Sequence, residues 1–263
     1  MYRFDRYDVN QNTFDNIIKT QLTNKSVVRE HLIGSRRKLY SQNKLIATTL
    51  QTSGFPLMIG DITKRQFTGF LGAFNKNLYS QIKKQPALLE LHIEFDKPSR
   101  GKNYEVWEIM SQGEFMYNLD LNSAYWQVAH KLGYISTKLY DNYIDLDEYK
   151  MAKRLCVSFL SRKNEMIYYL NDEAYLIKCD TTALRKIYEN IRYYLYNIIA
   201  EAVALCDNWI EYNIDGVTVK NSEVDILQKY FKKEKFTFKI KECMKLNELE
   251  YVYGNTIRRF KNR

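Results

Sequence analysis

Residues 209–219 read WIEYNIDGVTV: an apolar run, an Asp-Gly pair, and a second run rich in β-branched residues. That pattern predicts strand, turn and strand. Residues 114–121 (EFMYNLDL) have the same character and also end near an acidic group. Working outward, residues 104–109 (YEVWEI) alternate and are expected as a further strand, and residues 146–161 (LDEYKMAKRLCVSFLS) as a helix with acidic residues in its first turn. Residues 166–170 and 174–178 are expected to form a hairpin around Asn171 and Asp172. Thr181 or Thr182 can cap a long helix, because Leu184, Ile187, Ile191, Leu195, Ile198, Ala202 and Leu205 recur at steps of three and four. A helix near residues 224–231 and an alternating strand at 236–240 (FTFKI) follow. The order strand, helix, hairpin, helix, hairpin, helix, strand predicts an α+β fold, an antiparallel sheet with helices on one face.

Upstream the character changes. All three prolines, Pro56, Pro86 and Pro98, lie in the first hundred residues, which are basic. A boundary is therefore expected near residue 100, with a helical basic region at 1–100 and the sheet domain at 101–263. Residues 27–51 are expected as a helix with Arg36, Arg37 and Lys38 clustered opposite its apolar face. Residues 67–74 (FTGFLGAF) read as a glycine-bearing turn before a helical stretch at 75–89. No GxxxxGK[ST] or GxGxxG pattern is present, so these glycines are no phosphate loop. Residues 96–103 (DKPSRGKN) read as a linker.

The 263 residues include 40 Lys plus Arg against 31 Asp plus Glu, a formal charge of +9. This balance favours polyanion partners, because each phosphate neutralised releases counterions. With 45% hydrophobic residues, global disorder is excluded. No apolar run approaches the roughly 18 residues that cross a bilayer, and residues 1–10 (MYRFDRYDVN) carry no apolar leader core. A soluble cytoplasmic protein with no membrane partner is expected. Cys156, Cys179, Cys206 and Cys243 are widely spaced without a CxxC, so neither a zinc site nor a disulfide framework is expected.

Two carboxylates stand out, Asp120 in YNLDLNSAYWQ (117–127) and Asp215 in YNIDGVTV (212–219). An Asp at the end of an apolar strand is costly to bury unless it is paired or binds a cation. Each also has a plain reading. Asp215-Gly216 is a common hairpin turn pair, and Asp120 can cap the segment after it.

Taken together, the two stretches resemble the polymerase motifs of family B DNA polymerases, in particular the protein-primed and viral branch. Residues 120–125 (DLNSAY) resemble the first motif, DxxSLYP, and residues 212–219 the third, YxDTDSxxV. Residues 153–161 (KRLCVSFLS) fall where the second, KxxxNSxYG, belongs, with Lys153 and Ser158 in register. The resemblance covers about residues 104–253 and implies a polymerase palm. It implies that Asp120 and Asp215 hold two Mg²⁺ or Mn²⁺ ions, with the Leu121 carbonyl assisting, for in-line displacement at the α-phosphate of a dNTP. By the same resemblance Lys153 contacts the triphosphate and Tyr125 lies under the incoming sugar. Lys150 or Arg154 would supply a second cation, and Arg258 and Arg259 belong to a basic strand that grips primer DNA.

The departures are Asn213 for the first Asp of DTD, Gly216 for Ser and Trp126 for Pro, with Val157, Leu160 and Ser161 for Asn, Tyr and Gly. No exonuclease motif or thumb is legible. The expectation is thus a minimal, metal-dependent nucleotidyltransferase of a phage or mobile element that extends DNA with dNTPs. Its missing subdomains leave a place for another replication protein. The competing expectation is a catalytically degenerate palm that serves replication as a DNA-binding accessory protein.

Overall fold

The computed structural model describes residues 8–9, 11–23, 28–33, 36–41, 44–49, 61–161, 164–170, 173–178 and 182–260. In chain order the elements begin with β1 (Asp8–Val9), α1 (Gln11–Thr23), β2 (Val28–Ile33), β3 (Arg36–Ser41) and β4 (Lys44–Thr49). There follow α2 (Lys64–Lys84), β5 (Gly101–Lys102), α3 (Tyr104–Ile109), β6 (Phe115–Leu121), α4 (Ala124–Lys131), α5 (Thr137–Tyr143) and α6 (Lys150–Phe159). Next come β7 (Asn164–Leu170), β8 (Glu173–Lys178) and α7 (Thr182–Ala204). The last elements are β9 (Trp209–Asn213), β10 (Gly216–Lys220), α8 (Val224–Lys233), β11 (Phe238–Lys245), β12 (Glu250–Tyr253) and β13 (Thr256–Arg259). They divide into two compact units, each discontinuous in sequence: Met1–Ile59 with Ser158–Lys186, and Gly60–Val157 with Ile187–Arg263. The division does not fall at the single boundary expected near residue 100; it follows which strands pair.

The first unit is a six-stranded sheet in the order β1-β4-β3-β2-β7-β8. The expected helix over residues 27–51 is replaced by β2, β3 and β4, with Ile33 opposite Arg36 and Ser41 opposite Lys44. Val28, Ile33, Ile46, Thr48 and Thr49 are β-branched and suit a pleated surface, which overrides the loose helical spacing. Phe14 and Ile18 of α1 bury against Leu39 and Ala47. The β7–β8 hairpin is the one expected from sequence, with Leu170 opposite Glu173.

The second unit is a seven-stranded antiparallel sheet in the order β13-β12-β11-β6-β10-β9-β5. The fold is α+β, as expected, and β6, β9, β10 and β11 overlap their predicted spans. Alternation puts Met116, Asn118 and Asp120 of β6 on one face and Leu119 and Leu121 on the other. Helix α8 covers the second face, its buried Phe231 lying 5.7 Å from the Phe238 ring.

Two local expectations fail in this unit. Residues 104–109 are helix, not strand, because the Asn103 side chain accepts from the Val106 N–H at 3.2 Å and so caps a turn. The turn buries Trp107 with Met116, Cys243, Tyr251 and Phe260. Helix α3 therefore sits on the face opposite α8, so the helices are not confined to one side. Residues 67–74 lie inside α2, where a capping box between Thr63 and Gln66 starts the helix. Phe67, Phe70, Phe74 and Leu78 then form a buried stripe that outweighs Gly69 and Gly72.

Candidate active site

Strand β6 lies between β10 and β11, and its register sets Gly216 opposite Asp120 on one side and Lys239 opposite Asp120 on the other. The Leu121 N–H donates to the Asp215 carbonyl at 2.8 Å. That bond ties the end of the strand carrying Asp120 to the turn carrying Asp215. Gly216 is needed here for space: a Cβ would stand 3.0 Å from the Leu119 carbonyl oxygen and 3.4 Å from Asp120 Oδ1. Its φ is not positive, and neither is that of Ile214 or Asp215, so the turn is not the type I′ hairpin in which Asp-Gly is usual. The plain turn reading of Asp215-Gly216 is thereby replaced by close approach of two strands. Asp120 is not a cap either; the residue at the N-terminus of α4 is Ser123, in a left-handed conformation at φ 46.

The left-handed turn after Asp120 is held from outside. The Gln127 side-chain amide donates to the carbonyls of Asn122 and Thr237 and accepts from the Thr237 N–H at 2.9 Å. Asn122 in turn donates its N–H to the Thr237 carbonyl at 3.0 Å. A strained residue beside a charged one, locked by packing, is a common feature of functional sites.

Asp215 stands within electrostatic reach of Asp120. Burial pushes the Asp120 carboxyl above its ordinary range and the neighbouring Asp215 adds to that push, while Lys150, Lys241 and Arg258 oppose it. Burial likewise raises Asp215, opposed by Arg154, its own backbone N–H, Lys150 and Arg100. Lys150 and Arg154 stand one helical turn apart on α6. Two half-buried acids thus lie within electrostatic reach of Lys150, with Lys241 and Arg258 acting on Asp120 and Arg154 and Arg100 on Asp215. Carboxylate oxygens are the donors that Mg²⁺ and Mn²⁺ take, and such ions often use one or two carboxylates with substrate phosphates completing the shell. Among the described residues no group of three His, Cys, Asp or Glu side chains gathers; the pair itself supplies carboxylate oxygens alone.

The other expected residues fare differently. Lys153 is 2% exposed and its ammonium donates to the carbonyls of Tyr143, Ile144 and Leu146 at 2.8, 2.9 and 3.2 Å. All three donors are spent on closing the end of α5, so its expected triphosphate contact is corrected to a structural role; Lys150 and Arg154 are the α6 cations that act electrostatically on the carboxylates. Tyr125 is half-buried and parallel to Tyr188 within 4° at 6.5 Å, and burial beside Tyr196 and Tyr188 pushes its hydroxyl up. Ser158 belongs to the other compact unit, where its carbonyl accepts from the Ser161 hydroxyl at 2.7 Å.

Arg258 lies 3.5 Å over the Tyr253 ring and within electrostatic reach of Asp120, whereas Arg259 pairs with Glu250 at 3.6 Å. In the first unit Arg37 is committed to Glu30, which is fully buried, and to Asp15 at 2.7 Å. Arg37 is therefore a core ion pair and not part of a free basic cluster. Lys38 is half-buried on the same strand, and the side chain of Arg36 lies outside the described residues.

Sequence reasoning missed Arg100, read as part of a linker, and Lys241, which only its register beside Asn118 brings near Asp120. No protein-family model matches the chain, and no curated protein does. No helix among the described residues is long and apolar enough to cross a membrane.

Proposed function

We propose that this protein is a metal-dependent nucleotidyltransferase that extends DNA with dNTPs, a minimal polymerase palm. The observation that carries the reading is the pair Asp120 and Asp215, brought together across β6 and β10 and surrounded by Lys150, Arg154, Arg100, Lys241 and Arg258. When bound, a pair of Mg²⁺ or Mn²⁺ ions supplies Lewis-acid activation of a 3′-hydroxyl and charge neutralisation at the α-phosphate. Asp120 and Asp215 hold that charge, and the Leu121 carbonyl adjoins them. Lys150, Arg154 and Arg100 screen the triphosphate and the leaving pyrophosphate. Lys241 and Arg258 receive the primer strand, and Tyr125 forms the wall beside the incoming sugar.

The test is extension of a labelled primer–template by purified protein with dNTPs and Mg²⁺ or Mn²⁺. Wild type should extend it, and Asp120→Ala, Asp215→Ala and the double variant should not. Equal activity in wild type and the double variant overturns the catalytic reading. The burial of Lys153 favours a second reading, a palm that binds DNA without chemistry. Salt-sensitive DNA binding without metal-dependent synthesis selects it.

A further inference from the structure

On the face that carries Asp120, β12 and β13 set Tyr251 opposite Arg258 and Tyr253 opposite Thr256. Tyr251 is 2% exposed, its hydroxyl donates to Glu211 Oε1 at 2.7 Å, and strand pairing sets Arg258 beside it on the same face. A phenol hydroxyl has one proton to give, so donation to Glu211 leaves its oxygen as an acceptor on the side of the neighbouring guanidinium. The Tyr253 ring that Arg258 covers is itself pinned: its hydroxyl donates to Asn118 Oδ1 at 3.1 Å, and the Asn118 amide donates to Thr218 Oγ1 at 2.9 Å. An exposed guanidinium on an edge strand is ordinarily free to rotate, but Arg258 lies against the Tyr253 ring at 3.5 Å with Tyr251 as its cross-strand neighbour, and keeps N–H donors to spare.

We infer that Glu211 and Tyr251 form a positioning relay that holds Arg258 across the Tyr253 ring, where its guanidinium takes a backbone phosphate of the DNA strand lying beside Asp120. The inference rests on the DNA-binding side of the proposed function and is independent of turnover. Glu211 and Tyr251 act through Arg258. Arg259, one residue on, points to the other face by strand alternation and takes no part.

The experiment measures binding of a fluorescent primer–template duplex by anisotropy across a salt series, with EDTA and no dNTP. Tyr251→Phe, which removes only the relaying hydroxyl, should bind several-fold more weakly than wild type at low salt. Its log–log salt slope should be shallower by up to about one, the loss expected for a single phosphate contact. Arg258→Ala should show the same loss, and the double variant no more than either. Glu211→Gln keeps an acceptor and should bind better than Glu211→Ala. A wild-type slope in Tyr251→Phe, whether or not its affinity falls, overturns the relay, as do losses that multiply in the double variant. Wild type that binds no duplex overturns it as well. Absence of primer extension with duplex binding intact counts only against the catalytic reading.

Discussion

Asp120 and Asp215 are most informative as a titrating pair. Both carboxyls are raised by burial, and Asp120 further by its neighbour. A raised acid favours folding while protonated, so its contribution is full below the ordinary carboxylate range and is lost as pH rises through the folded value. Metal-free protein should therefore be less stable at neutral pH than Asp120→Asn, and the gap should close as pH falls to about 4. Adding Mn²⁺ should raise the melting temperature of wild type and leave Asp120→Asn/Asp215→Asn unchanged. Calorimetry with EDTA and then with Mn²⁺ checks both, and a Mn²⁺ shift in the double variant sinks the metal assignment. Lys153 makes the opposite case, a charge with a purely architectural use. Lys153→Met leaves three carbonyls without a donor and should cost about 1–3 kcal/mol, read as a lower urea midpoint. It should not specifically weaken nucleotide binding, whereas Arg154→Ala should, with little change in the urea midpoint.

At the scale of elements, local signals and tertiary packing disagree where glycine or aromatic residues mislead. Gly69 and Gly72 suggested a turn, yet nothing lies within 4 Å of a Cβ built on either. Each should accept Ala inside α2 with a gain of about 0.5–1 kcal/mol, measured by denaturant unfolding; a loss would mean that α2 is not helical there. The alternation of residues 104–109 is real, but Asn103 caps a helix and the buried Trp107 stacks on Phe260 at 4.1 Å. Phe260 is 153 positions away, so no local rule could weigh that contact. Buried Lys245 repeats the device of Lys153, donating at 2.7 Å to the carbonyls of both Trp107 and Met110 at the end of α3. The sequence marks neither lysine as different from the solvated ones.

At the scale of the whole molecule, the formal charge of +9 is not one diffuse field. Arg37, Lys153 and Lys245 are spent on internal partners. Arg100, Lys150, Arg154, Lys241 and Arg258 act on the two carboxylates. If Lys241 and Arg258 alone meet DNA phosphates, binding should fall with a log–log salt slope of about −1.8, and each further phosphate contact should steepen it. Titration of a primer–template against salt measures it, and a slope near zero would remove nucleic acid as the substrate.

The sequence by itself determined the antiparallel α+β class of the second unit and the positions of β6, β9 and β10. It also placed Asp120 near the end of a strand and Asp215 at the turn between two strands, because alternation and turn residues are properties of neighbouring positions. The β7–β8 hairpin and α7 were legible for the same reason. Only the tertiary structure decided that β2, β3 and β4 form where a helix was expected and that β2 pairs with β7, that Gly216 answers to Asp120 and not to a turn, and that Lys150 and Arg154 replace Lys153 in acting on the carboxylates. Burial and pairing across a hundred residues set the electrostatic worth of a charge. That pairing comes from strand register, which the one-dimensional pattern does not carry.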